Sequence, residues 1–208
     1  MAHDIESLLG GSPIMAIFRN MEAEPAVALA HRAWDLGIEL VEVPIQTPDA
    51  VPSLEAVIRA GAERGKLVGS GTVVSVEQVE VSKRLGAAFS VSPGLDRAVA
   101  EASTRLELPH LPGVATASEI QAAIGLGFTW VKAFPATVLG TSWFTAMRGP
   151  FPNLRFVATG GMDASNARAF LNAGVSTVAV GSALADPAQV ELLAEILADH
   201  RAAAGVGA

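Results

Sequence analysis

A chain of 208 residues, half of them apolar and 17% charged, has enough apolar material for one large core and excludes a disordered chain. It contains no cysteine, which excludes disulfides, thiolate metal sites and cysteine nucleophiles and points to the cytoplasm. A formal net charge of −7 without a basic run argues against nucleic acid and anionic membranes, and no apolar stretch reaches the ~20 residues that span a bilayer.

The chain is read as a single domain over 1–208, with a cap segment carrying a short helix at 1–11 and a frayed tail at 202–208. Its first residues lack the pattern of a signal peptide. Short β-branched runs then alternate with alanine-rich runs of helical spacing. The strand candidates are Pro13–Phe18, Ile38–Val43, Leu67–Gly71, Ala88–Ser92, Leu106–Leu111, Trp130–Phe134, Arg155–Thr159 and Thr177–Gly181. Between them, sets such as Ala26, Leu29, Ala30, Ala33 and Trp34 recur on one helical face. Helix starts are marked by Thr47-Pro48 and by the capping-box patterns Ser75–Gln78 and Thr116–Glu119. Helix stops are marked by Gly37, Gly65, Gly86, Gly125 and Gly174. Eight such units fit a small (β/α)₈ barrel; a doubly wound open sheet is the rival architecture.

Chemistry in a barrel sits at the C-terminal ends of the strands. Lys132 lies inside an otherwise apolar strand and is one of three lysines in the chain, with Lys66 and Lys83. A buried ammonium is costly, and a lysine that loses its proton near neutrality attacks carbonyl carbons. Alternation places Trp130, Lys132 and Phe134 on one face, and Leu40 and Glu42 on one face. If both sets point inward, an amine and a carboxylate share an enclosed space. The competing reading is a buried structural ion pair.

Thr159-Gly160-Gly161 and Gly181-Ser182 follow the last two strands, where barrels often bind phosphate through backbone N–H groups; ordinary tight turns are the bland alternative. Gly69-Ser70-Gly71 lacks the third glycine of a dinucleotide fingerprint. The histidines His3, His31, His110 and His200 show no ligand spacing, so no metal site is expected. His31 and His200 read as surface residues and His110 as a packing residue near the site.

Taken in order, Ala16–Arg19, Val41–Pro44, Gly69–Val73, Val91–Gly94, Leu111–Gly113, Val131–Ala136, Thr159–Gly161 and Val180–Ser182 resemble the class I aldolases of 2-keto-3-deoxy-6-phosphogluconate (KDPG) and 4-hydroxy-2-oxoglutarate (KHG). That group includes the 2-keto-3-deoxy-6-phosphogalactonate enzymes. The resemblance implies a barrel, a homotrimer, no metal or cofactor, and cleavage of a phosphorylated 2-keto acid to pyruvate and an aldehyde, as in the Entner–Doudoroff pathway. It aligns Lys132 with the Schiff-base lysine and Glu42 with the proton shuttle. Thr72, Pro93 and Phe134 align with the pyruvate pocket, and Gly160, Gly161 and Ser182 with the phosphate site. Gln46 stands where many members carry an arginine that grips the pyruvate carboxylate, which leaves Arg19, assisted by Thr72, as the candidate anchor. Thr159 is similar to the gluconate enzymes, whereas the Val41–Pro44 run is similar to the galactonate enzymes. Another phosphate-binding barrel enzyme and a non-catalytic barrel that binds a phosphometabolite are the alternatives.

Overall fold

A computed structural model describes residues 4–203 and Gly205, the side chain of Ser182 excepted. The strands are β1 (Ile14–Ile17), β2 (Leu40–Pro44), β3 (Val68–Gly71), β4 (Ser90–Val91), β5 (His110–Leu111), β6 (Gly113–Val114), β7 (Trp130–Ala133), β8 (Arg155–Thr159) and β9 (Thr177–Val180). The helices are α1 (Ile5–Leu9), α2 (Ala23–Leu36), α3 (Val51–Glu63), α4 (Val76–Leu85) and α5 (Arg97–Arg105), then α6 (Ala117–Gly125), α7 (Ala136–Leu139), α8 (Thr141–Arg148), α9 (Ala164–Asn172) and α10 (Pro187–Ala203).

All strand pairs are parallel, in the order β5-β4-β3-β2-β1-β9-β8-β7-β6. Only Pro112 separates β5 from β6, so the two ends of that order are one strand and the sheet closes. Proline has no N–H to give a ladder, which explains the break. The closing bonds are present on both sides. Ser92 N–H donates to Leu111 O at 3.0 Å, and Lys132 N–H donates to Pro112 O at 2.8 Å. The result is the expected (β/α)₈ barrel rather than an open sheet.

Both faces of the strands are apolar because both are covered. Met15, Leu40, Phe89, Val91, Leu111, Trp130 and Val157 point inward and fill the barrel, and Leu8 and Leu9 of α1 plug its lower end. The outward residues, Val41, Val131 and Val178 among them, pack against helix positions such as Ala30, Leu54, Ile120 and Phe170. Asp4 starts the plug by accepting a 2.9 Å hydrogen bond from Ser7 N–H.

The fifth strand departs from the expected Leu106–Leu111. Leu106 to Leu108 leave α5 through Glu107 in a left-handed turn (φ 51°), and the strand instead spans His110 to Val114 around Pro112. Gly125 is the last residue of α6, and the left-handed turn after it falls on Gly127 (φ 90°). The Thr116–Glu119 capping box is complete. At Ser75 only half forms, because the Gln78 side chain accepts from Val74 N–H at 2.7 Å. Helix α10 runs to Ala203, so the first two residues of the expected tail are helical. Positions 204 and 206–208, like His3, lie outside the described residues.

Candidate active site

Period-two alternation carries the polar residues to the upper rim. Inward residues along each strand run Met15–Ile17–Arg19, Leu40–Glu42, Trp130–Lys132–Phe134, Val157–Thr159 and Ala179–Gly181. The upper members of these rows open onto a cavity of about 430 Å³, within the range of small-molecule sites; Glu42 is not part of its wall but lies beside it, against Gly71. Lys132, Arg19, Thr72, Pro93, Phe134, Thr159, Gly160, Gly161 and Gly181 line the cavity. Ile17, Met162 and Ala179 complete the wall. The sequence reading missed these three, although extending the same alternation from Arg19 and Gly181 identifies Ile17 and Ala179.

Lys132 and Glu42 are each 1% exposed. Burial, reinforced by the positive charge of Arg19, pushes the Lys132 amine below its ordinary value of 10.5 despite the opposing pull of Glu42. Burial also raises the Glu42 carboxyl above its ordinary 4.5, against the pull of Lys132 and Arg19. Neither takes part in a salt bridge among the described residues. Both oxygens of Glu42 also lack a hydrogen-bond partner. Lys132 and Glu42 therefore form no direct ion pair, although each charge acts on the other.

Two hydroxyls of the cavity wall, Thr72 Oγ1 and Thr159 Oγ1, are likewise buried without a partner. Unsatisfied buried groups are rare, and their concentration here marks a place built to meet a polar ligand. Thr72 adds backbone strain, since a β-branched residue at φ 55° costs ~1–3 kcal/mol.

Beyond β8 the chain turns sharply at Gly160 and Gly161. Gly161 has φ 73°, and a Cβ there would run into Thr137. The carbonyls of this turn are tied down: Gly160 O accepts from Thr137 Oγ1 at 3.1 Å, and Gly161 O accepts from Asn166 Nδ2 at 3.0 Å. Among the described residues nothing accepts from the N–H groups of Gly161 and Met162. Free amides fixed at a cavity wall suit an anion.

Some expected residues fall elsewhere. Gln46 donates through Nε2 to Asn20 Oδ1 at 2.5 Å and lines a neighbouring cleft with Pro48, Val74 and Gln78, not the cavity wall. The Ser182 side chain lies outside those described; its backbone opens a 3₁₀ turn just after Gly181. His110 points outward from the barrel, sharing a 2.8 Å hydrogen bond with Ser90 Oγ. His31 and His200 are half-buried rather than fully exposed. No cluster of three or more potential metal ligands occurs among the described residues, and no helix there is long and apolar enough to cross a membrane.

Residues 5–197 match the family model described as KDPG and KHG aldolase. The KHG/KDPG aldolase of Escherichia coli (strain K12) is 33% identical over 184 residues, covering 88% of this chain and 85% of that protein. A Rhizobium meliloti (strain 1021) protein named "Probable 2-dehydro-3-deoxy-6-phosphogalactonate aldolase" is 34% identical over 176 residues, 84% of this chain and 82% of its own. Among solved structures, the KDPG aldolase of Legionella pneumophila was captured with pyruvate as a covalent carbinolamine intermediate. It superposes with a TM-score of 0.79 at 32% identity, over 92% of this chain and 95% of that one. With sequence, fold and cavity pointing the same way, the chain belongs to the KDPG and KHG aldolase family.

Proposed function

We propose that this chain is a class I aldolase cleaving 2-keto-3-deoxy-6-phosphogluconate to pyruvate and glyceraldehyde 3-phosphate, and 4-hydroxy-2-oxoglutarate to pyruvate and glyoxylate. The observation that carries this is Lys132, a buried amine whose pKa is pushed down, opening onto a ligand-sized cavity and bonded to no carboxylate. Its neutral form attacks the 2-keto carbon. Glu42, whose burial favours the protonated acid, gives its proton to the carbinolamine hydroxyl, which leaves as water and yields the iminium. The resulting carboxylate takes the C4 hydroxyl proton as the C3–C4 bond breaks. The bonding pair flows into the iminium and forms an enamine, and the aldehyde departs. Protonation at C3 and hydrolysis release pyruvate and restore the amine.

Arg19 and Thr72 grip the pyruvate carboxylate, with Pro93 and Phe134 enclosing the three-carbon end. Thr159 and the amides of Gly161 and Met162 hold the far end, where Gly160, Gly181 and Ser182 shape a phosphate seat. Binding energy from that seat orients the bond to be broken. Gln46 takes no part in this reading because it faces Asn20.

Pyruvate and borohydride together test the assignment: a reduced pyruvyl adduct is expected on Lys132. An unmodified protein, or a label on Lys66 or Lys83, sinks it. A second reading, cleavage of the galactonate epimer, is favoured by the name of the Rhizobium relative, and kcat/KM on the three keto acids separates the readings. The family resemblance and the absence of cysteine support a homotrimer acting in the cytoplasm, which sedimentation and fractionation would test.

A further inference from the structure

We infer that Gly71 is a positioning residue for Glu42: its missing side chain is the space in which the carboxylate is held. Strands β2 and β3 pair with Glu42 opposite Gly69 and Pro44 opposite Gly71. Gly69 and Gly71 lie two apart on the inward face, so β3 presents a strip of bare backbone to the barrel interior. That strip is filled from both sides. A Cβ at Gly69 would overlap the ring of Phe89, the residue just before β4. A Cβ at Gly71 would overlap Glu42 Oε1, with Cδ at 2.7 Å and Cγ at 2.8 Å.

Apart from the pull of the Lys132 and Arg19 charges, no directional contact locates the carboxylate among the described residues. It accepts no hydrogen bond and joins no salt bridge among the described residues. Its place is set by shape, and that place adjoins Thr72, the next residue after Gly71, at the cavity wall. The space is not needed for backbone geometry, because Gly71 does not adopt a positive φ. An alanine there meets a side chain that can turn aside. The substitution therefore displaces the carboxylate while sparing the strand.

This inference rests on the proposed acid–base role of Glu42, and the experiment separates the two. Gly71→Ala, Glu42→Asp and the double variant are compared in cleavage and in exchange of pyruvate methyl protons in D₂O, which reads enamine protonation without an aldehyde. Gly71→Ala should lower kcat in both by ~10²-fold or more, the range for a positioned acid–base group, with KM nearly unchanged. In the Gly71→Ala background the shorter acid fits better, so Glu42→Asp should cost less than in the parent, or restore turnover. Parental kcat in Gly71→Ala, or two single losses that simply multiply in the double variant, would overturn the inference. A Glu42→Gln enzyme with full turnover would instead remove the acid–base reading itself. Should Gly71→Ala fail to fold, Gly71→Ala/Glu42→Ala decides: recovery of the fold supports the shared space, and continued misfolding overturns it.

Discussion

Lys132 Nζ stands 5.4 Å from the centroid of the Phe134 ring, two residues along the same inward face. An aromatic surface thus flanks the amine, whereas Glu42 is seated against Gly71 of β3 and makes no salt bridge with Lys132. An ammonium over such a ring gains ~0.5–2 kcal/mol. Burying that charge costs several kcal/mol. The second quantity is larger, so the site favours the free amine.

Arg19 lowers the pKa of both Lys132 and Glu42. Replacing it with glutamine should let both rise. Imine formation requires the neutral amine, so the rate of borohydride trapping with pyruvate should reach its plateau at higher pH in Arg19→Gln. The KM for pyruvate should rise by about tenfold or more, the equivalent of one charge-assisted hydrogen bond of ~1.5–3 kcal/mol. An unshifted trapping profile would show that Arg19 does not tune the amine, and a parental KM that it does not anchor the carboxylate.

The same two buried groups reduce stability. A carboxyl raised on folding opposes the native state once pH climbs above its unfolded value of 4.5. An amine lowered on folding opposes the native state until pH climbs towards its unfolded value of 10.5. The two penalties overlap between those values. Lys132→Met/Glu42→Gln removes both, and should be inactive yet more stable at pH 7 than at either extreme relative to the parent. Tm should rise by ~2–4 °C for each kcal/mol relieved, measured by thermal unfolding across pH.

Much of this was legible in the chain. Where strands alternate cleanly, as at Trp130, Lys132 and Phe134, the inward face and the rim follow from period two alone. The fifth strand was obscured because Leu106 and Leu108 flank a helix exit, and because Pro112 splits the real strand into two-residue pieces. In the sequence Gly71 is only the last residue of the strand candidate Leu67–Gly71, in a motif that lacks the third glycine of a dinucleotide fingerprint. What gives it meaning is a side chain from another strand, and strand-to-strand neighbours are a property of register. Gln46 follows Glu42 closely in sequence, but its amide turns to Asn20, a contact across 26 positions.

Gly161 offers a test of the far end of the cavity. Alanine there must adopt φ near 73° and collide with Thr137, displacing the free amides of the turn. The KM for KDPG should rise about tenfold or more, in line with losing a charge-assisted hydrogen bond of ~1.5–3 kcal/mol. Turnover of 4-hydroxy-2-oxoglutarate, which carries no phosphate, should change far less. Equal losses on both substrates would argue that the turn supports the barrel and holds no phosphate.

His110 separates stability from catalysis. Its ring is 4% exposed, packed edge-on to Phe128 and hydrogen-bonded to Ser90, on the face of β5 away from the cavity. Burial pushes its pKa down to about 4 from an ordinary 6.5. As pH falls through 6.5 the unfolded chain takes up a proton that the folded chain refuses until about 4, so stability drops across that window. The full loss is roughly 3 kcal/mol. His110→Gln keeps a polar partner for Ser90 and cannot charge. Its unfolding free energy should flatten between those two pH values, while kcat/KM at pH 8 stays at the parental level. A parental slope in urea titrations across pH would place the acid sensitivity elsewhere, with Glu42 excluded because its raised pKa acts with the opposite sign.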